Sequence, residues 1–444
     1  MSDKPTDRDL VLFLGAGFSA DADLPTMKDF GKFSDEEYRK LCRENRGIKN
    51  AFSVMEHAGR VFRSFQKYCR RSTRQEGSSP SDPNNAADIT QNMETVFCMA
   101  EAMREAQVNP LLDLRPEEPT EGRHKSFEQA VDSEYLVEQI QFWLWEVYMS
   151  LPLIDRDRIS ATALRAYDTF TALLGSDSIR KRTTVVTTNY DLVVEYLLWA
   201  MEGGCRCAYP LENHRDYIAL EAGDHDPTRA AGDLGLIENS SNDPDCPVVC
   251  KLHGSVNFME LTRSGHPQLG ICDDIVKRPG PVGKSRIPGH TATYEGSHIG
   301  QHARESEPAI LAMDAIWCLR ERYGISLTPA IVPPTYAKLQ GQPWLRRIWH
   351  AAFEAIRQAR TIVFVGYSLP ESDGFMRAMF QAALAAREAG PPEVHVIDPF
   401  ACVDPKLMGR YEKVFGACTD GAHPMKFSDA MQAGLMEKIL RKED

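Results

Sequence analysis

Leu10-Val11-Leu12-Phe13-Leu14-Gly15-Ala16-Gly17-Phe18-Ser19-Ala20 is the stretch on which the reading of this chain turns. Five apolar residues in a row, without alternation, are the pattern of a strand buried on both faces. A parallel sheet covered by helices needs such strands. The Gly-x-Gly-x-x-Ala turn that follows is strand-to-helix chemistry. Residues without a Cβ let backbone approach a pyrophosphate, and amide N–H groups open the next helix. Taken alone, the same turn is equally a tight connection that binds nothing.

Five more β-rich runs lie downstream, at Thr183–Thr187, Pro247–Leu252, Pro329–Val332, Thr361–Val365 and Glu393–Ile397. Most are continuous apolar runs as well. Helical patterns follow several of them, at Asp191–Met201, Trp344–Arg360 and Asp373–Glu388, and a last helix is expected from about Ser428 to Leu440. Strand-then-helix repetition predicts an α/β fold with a doubly wound, mostly parallel, Rossmann-like sheet.

The interval between the first and second runs reads as helical. Phe52, Met55, Phe62 and Phe65 mark one apolar stripe, Leu136, Ile140, Trp143 and Val147 a second, and Leu164, Tyr167 and Leu174 a third. Residues 28–180 are therefore expected to form a large helical insertion, with 1–27 plus 181–444 forming the Rossmann domain. Gly77–Asn85 has turn-forming composition, and the Gly-, Pro- and His-rich stretch from Glu260 to about Pro308 reads as a long irregular loop.

The formal net charge of −12 argues against a global grip on nucleic acid, because a polyanion would meet a net-negative surface. Arg60, Arg63, Lys67, Arg70, Arg71 and Arg74 recur at helical spacing and read as a solvated helix face. No apolar run is long enough to span a bilayer, and Met1–Asp9 lacks the layout of a secretory signal, so a soluble, cytoplasmic protein is expected. The 11 cysteines have no disulfide-framework spacing, which fits mostly buried thiols in a reducing compartment. Cys205-x-Cys207 and Cys246-x-x-x-Cys250 lack zinc-ribbon spacing, and no metal is expected.

Polar and glycine residues gather where the apolar runs end. Thr187-Thr188-Asn189-Tyr190-Asp191 closes the second; read alone, Asp191 is a helix cap, whereas Asn189 lies outside the helix. Lys251-Leu252-His253-Gly254-Ser255 closes the third and offers a histidine able to take a proton near neutral pH. Such a lone histidine is more often structural. Gly366-Tyr367-Ser368-Leu369-Pro370 and Ile397-Asp398-Pro399 close the last two, where a hydroxyl can meet phosphate and a carboxylate a ribose diol. The acidic residue that a dehydrogenase fold would carry some 20 residues after its glycine turn is missing, since Lys32–Tyr38 looks like a helix start.

In order, Gly-Ala-Gly-x-Ser with Leu24-Pro25 downstream, Thr-Thr-Asn-Tyr-Asp, Lys-Leu-His-Gly-Ser, Val-Gly-Tyr-Ser-Leu and Ile-x-Pro resemble the sirtuin family. The particular forms are similar to its bacterial branch found in anti-phage defence, where NAD is destroyed. The resemblance covers residues 1–27 and, in pieces, most of 180–400. It implies that Gly15, Ala16, Gly17 and Ser19 hold the NAD pyrophosphate, with Pro25 beside them in the cofactor site. It makes Asn189 the residue that positions the nicotinamide ribose or a water, Asp191 a contact of the carboxamide, and His253 the general base. Gly366 and Ser368 would line the phosphate and adenosine-ribose side, with Asp398 near that ribose.

There are departures. Deacylating sirtuins carry Gly-Ile-Pro-Asp-Phe-Arg after the glycine loop, where this chain has Asp23-Leu24-Pro25-Thr26-Met27. Thr188 stands in place of a glutamine, and the four-cysteine zinc module has no counterpart. These gaps weigh more against deacylation than against NAD binding. The expectation is an NAD glycohydrolase that yields nicotinamide and ADP-ribose. An NAD-dependent protein deacylase and a non-catalytic sensor of an ADP-ribose-type nucleotide are the alternatives, with a dehydrogenase third. A constitutive NAD hydrolase would poison its own cell. The resemblance accordingly implies control by assembly into a homo-oligomer or by a partner chain, a HerA-type DNA translocase ATPase.

Overall fold

The computed structural model describes residues 8–26, 30–31, 33–35, 39, 58–66, 93–106, 133–150, 159–201, 209–211, 217–220, 245–263, 266–272, 326–332, 342–371, 373–416 and 421–442. Strands β1 (Leu10–Leu14), β2 (Thr183–Thr187), β4 (Val248–Lys251), β8 (Thr361–Val365), β9 (Glu393–Ile397) and β10 (Ala422–His423) form one sheet, in the order β10-β9-β8-β1-β2-β4. Every pairing in it is parallel. Renumbered among themselves these strands run 3-2-1-4-5-6, the doubly wound Rossmann order. The chain winds outward from β1 in one direction, then returns and winds outward in the other.

The unalternated apolar runs have the expected cause. All five residues of β1 are at most 2% exposed, because β2 and β8 flank the strand and helices cover both its faces. Two groups of helices surround the sheet. Helices α7 (Pro343–Gln358), α8 (Gly374–Ala385) and α9 (Pro405–Phe415) pack in succession, α7 also against β1, β2 and β4. Helix α4 (Ala161–Gly175) packs against α6 (Val193–Trp199) and against α10 (Phe427–Gln432). Its Tyr167, Phe170, Leu173 and Leu174 are buried in the core that holds β1. Phe427 of α10 meets Phe18, Tyr167 and Phe170 with ring centroids 4.8, 5.4 and 5.3 Å apart.

Three expectations are corrected. The run at Pro329–Val332 is not in the main sheet; it belongs to β7 (Ser326–Ile331), which pairs antiparallel with β5 (Gly254–Arg263). The stretch after Glu260 is not irregular at its start, since β5 runs on to Arg263 and pairs antiparallel with β6 (His266–Cys272), Arg263 opposite His266. With β3 (Tyr217–Leu220) these strands make a second sheet, ordered β3-β6-β5-β7. The last helix is two, α10 and α11 (Leu435–Leu440), separated by Gly434 in the left-handed region at φ 68°.

Of the helical interval, residues 58–66, α2 (Met93–Glu105) and α3 (Ser133–Ser150) are described. Leu136, Ile140, Trp143 and Val147 form the buried stripe of α3, which packs on β7 and β5. Trp145 Nε1 donates to the Val256 carbonyl at 2.7 Å and Gln141 Nε2 to that of Ile331 at 2.7 Å. Phe62 and Phe65 are fully buried; Phe52, Met55 and Gly77–Asn85 lie outside the described residues. Arg60 is exposed and Arg63 faces Asp35 at 3.7 Å, while Lys67, Arg70, Arg71 and Arg74 lie outside the described residues. Among the described residues no helix is long and apolar enough to cross a membrane.

One cysteine departs from the expected reduced set, for Cys246 is disulfide-bonded. Cys250 and Cys402 are free thiols, and burial pushes that of Cys250 up to about 12. Cys205 and Cys207 lie outside the described residues.

Candidate functional site

Because the main sheet is parallel throughout, β1, β2, β4, β8 and β9 all end on one edge. The candidate residues that follow them share that edge. Open α/β sheets bind ligands there, beside the point where the winding reverses. In this chain the reversal falls between β1 and β8.

The two loops at the reversal touch through backbone. Gly15 N–H donates to the Val365 carbonyl at 2.9 Å, and Gly17 N–H to that of Gly366 at 2.9 Å. Gly366 has φ +60°, and a Cβ there would lie 2.4 Å from Gly17 Cα. A Cβ on Gly15 would lie 2.6 Å from the Gly366 oxygen, and one on Gly17 2.6 Å from Gly366 Cα. All three glycines are thus demanded by the packing of loop on loop, before any ligand is considered. Ala16 follows as the first residue of the five-residue helix α1 (Ala16–Ala20), and its N–H has no hydrogen-bond partner among the described residues.

Asn189 is tied to this turn. Its Nδ2 donates to the Gly15 carbonyl at 2.9 Å and to Ser19 Oγ at 3.0 Å, and its own N–H donates to Thr187 Oγ1 at 3.0 Å. Thr187 Oγ1 in turn donates to the Leu14 carbonyl at 2.7 Å. With both amide hydrogens engaged, Asn189 Oδ1 accepts nothing among the described residues and is the atom left for a ligand or a water. Asn189 and Ser19 are both buried. Gly15 and Ser19, together with the sequence-distant Asn189, therefore form one hydrogen-bonded cluster.

Asp191 stands one residue before the N-cap of α6, which is Leu192 and has no side-chain cap bond of its own. Its Oδ1 accepts from Val193 N–H at 3.0 Å, at the start of α6. The Pro25 carbonyl accepts from Tyr148 Oη at 3.1 Å, so α3 reaches across to hold the chain after α1. Burial, with the Asp191 carboxylate nearby, keeps the Tyr148 hydroxyl protonated far above its usual range.

His253 sits between β4 and β5 and is buried. Its carbonyl accepts from Val332 N–H at 2.8 Å, while Tyr190 Oη donates to the Val332 carbonyl at 3.1 Å. The His253 and Tyr190 rings lie 6.1 Å apart, centroid to centroid. His253 is thereby placed beside the turn that carries Asn189.

On the other side of the reversal, Ser368 is exposed, and its carbonyl accepts from both Arg410 Nε at 3.0 Å and Nη2 at 2.8 Å. Asp398 is buried, and its Oδ1 accepts from Phe400 N–H at 2.9 Å. Burial raises its carboxyl above the usual range, against the lowering effect of that N–H and of Arg410.

Beneath the β2 and β4 ends lies a polar network missing from the sequence reading. Lys251, fully buried, donates from Nζ to the Asp191 carbonyl and stands 3.3 Å from Glu195 Oε1. Tyr209 Oη donates to Glu195 Oε1 at 3.1 Å, and Asn257 Nδ2 donates to Tyr209 Oη at 3.1 Å. The signal was present, since a lysine closing the apolar run Val248-Val249-Cys250 is buried only with a partner. Glu195, within Val193-Val194-Glu195-Tyr196-Leu197, is that partner.

No known family model matches the chain, and no curated protein matches it either.

Proposed function

We propose that this edge binds NAD and that the chain cleaves its nicotinamide–ribose bond to give nicotinamide and ADP-ribose. The observation that carries the reading is the gathering of Ser19, Asn189 and His253, all buried polar side chains, at the carboxyl ends of three neighbouring strands of a 3-2-1-4-5-6 sheet. The sirtuin-like order of motifs supplies the choice of NAD among dinucleotides.

In this reading the free N–H of Ala16 and the Ser19 hydroxyl face the pyrophosphate of the substrate, beside the loop formed by Gly15 and Gly17. Asn189 Oδ1 orients the attacking water over the ribose C1′, Asp191 stands by the nicotinamide, and Pro25 lies beside the glycine loop in the cofactor site. Gly366, Ser368 and Asp398 flank the adenosine side. The C1′–N bond breaks with its electron pair moving onto the pyridinium, so nicotinamide leaves neutral and the ribose carries the developing positive charge. Water then bonds to C1′ and gives its proton to His253. Fixing water and ribose in one geometry supplies much of the acceleration. The same resemblance makes the protein an NAD-depleting effector of anti-phage defence, held in check through self-assembly or a HerA-type ATPase.

The test is nicotinamide release from NAD by the purified chain without peptide, in wild type, Asn189→Ala and His253→Ala. Release that is lost in both variants supports the hydrolase. Full activity in both refutes the site. Release only with an acylated lysine peptide makes the chain a deacylase, and binding of ADP-ribose without turnover makes it a sensor.

A further inference from the structure

The buried pair Lys251–Glu195 stands just below the proposed site and takes no part in the reaction written above. Its cost is plain. Both side chains are fully enclosed, Glu195 Oε2 and Asn257 Oδ1 accept no hydrogen bond among the described residues, and burial raises the Glu195 carboxyl against the lowering influence of Lys251. Buried ion pairs stabilise a fold little, or less than apolar residues of equal volume would. A contribution to stability is therefore a poor account of why the pair sits here.

Its geometry supplies a better one. The Lys251 ammonium donates to the main-chain carbonyl of Asp191, in the turn that connects β2 to α6. Two residues earlier in that turn, Asn189 grips Gly15 and Ser19. Glu195, one helical turn further on, holds the ammonium from the other side, and Tyr209 and Asn257 hold Glu195. A continuous chain of contacts thus runs from β5 through the pair to the glycine loop.

We propose that Lys251 is a positioning residue. From beneath the strand ends it fixes the turn at 189–191, and through it the orientation of Asn189 against the glycine loop. The reaction it would serve rests on the NAD-cleaving reading above, but the positioning itself does not.

The experiment compares wild type, Lys251→Met and the double variant Lys251→Met/Glu195→Leu. The single variant strands a buried carboxylate and loses stability for that reason alone. The double variant replaces the pair with apolar groups and keeps the fold. Two readouts are taken: amide hydrogen exchange in peptides covering 12–20 and 187–193, and steady-state kinetics of nicotinamide release. In the double variant the melting temperature should stay near that of wild type while exchange in those two peptides quickens about tenfold or more, the effect of losing a hydrogen bond from a charged donor. Where wild type turns NAD over, kcat should fall about 10- to 100-fold with KM little changed, because orientation and not binding is lost. Wild-type exchange in both peptides overturns the proposal, as does full recovery of kcat in the double variant. Wild type that releases no nicotinamide counts against the hydrolase reading alone, and the exchange data still decide the role of Lys251.

Discussion

Replacing Gly366 by alanine puts a methyl group into the seam between the two loops at the reversal of the sheet. The new Cβ would lie 2.4 Å from Gly17 Cα and 2.6 Å from Phe18 N, where ordinary contact begins at 3.4 Å. Both neighbours are backbone, so no side chain can swing aside, and the loops must part by about 1 Å. That displacement stretches the 2.9 Å bond from Gly17 N–H to the Gly366 carbonyl past the roughly 3.2 Å reach of an N–H···O bond. The lost bond costs about 1 kcal/mol, the left-handed φ about 1–2, and the overpacking about 1–3, which together put the loss near 3–6 kcal/mol. Gly434 is the control: its φ is +68° and nothing lies within 4 Å of its Cβ position, so alanine there carries only the backbone strain, about 1–2 kcal/mol. Urea unfolding followed by tryptophan fluorescence measures both variants against wild type. If Gly366→Ala proves no more costly than Gly434→Ala, the seam is not held by that contact and the account of the three glycines fails.

Other expectations follow from the same packing. Phe427→Ala removes the ring that Phe18, Tyr167 and Phe170 surround; it should cost about 3–5 kcal/mol and be seen as a lowered urea midpoint with unchanged slope. Asp373→Ala removes the cap of α8, where Asp373 Oδ1 accepts from Met376 N–H and Oδ2 from Tyr367 Oη at 2.8 Å, and should cost about 1–2 kcal/mol in the same assay. His395 and His423 face each other, Nδ1 to Nε2, at 3.2 Å, with Glu393 and Lys442 beside them. Burial holds both imidazoles below their ordinary 6.5, so the unfolded chain binds the first protons. Stability should therefore decline as pH falls from about 6.5 through the folded values, and His395→Gln should flatten that decline in a series of unfolding curves. Glu393, held low by Lys442, adds a second loss as pH falls below 4.5.

The main sheet was legible because its strands are buried on both faces, and Leu10–Leu14, Thr183–Thr187, Thr361–Val365 and Glu393–Ile397 stand where their apolar runs put them. Periodicity says nothing of partner, however. The Pro329 run is as apolar as the others, yet it pairs antiparallel with β5 in a different sheet. β10, with two residues, is too short to leave a pattern at all. At the site, the strand-end motifs marked the residues but not their bonds. Nothing in a linear reading joins Asn189 to Gly15 and Ser19, since that contact exists only once β1 and β2 are neighbours. The reason for the glycines was likewise hidden, because their demand comes from Gly366, which the chain reaches much later. Lys251 was readable as a charge in an apolar run and went unread.

Strand β1 finds one neighbour at residue 183 and the other at residue 361. During synthesis at about 5–20 residues per second, the second of these arrives on the order of tens of seconds after the first strand has left the ribosome. Through that interval Leu10–Leu14 is an uncharged, β-prone pentapeptide with an open edge, the kind of segment that pairs with copies of itself. Yield in a heterologous host should therefore depend on chaperone supply and growth temperature more steeply than the stability of the finished fold would suggest.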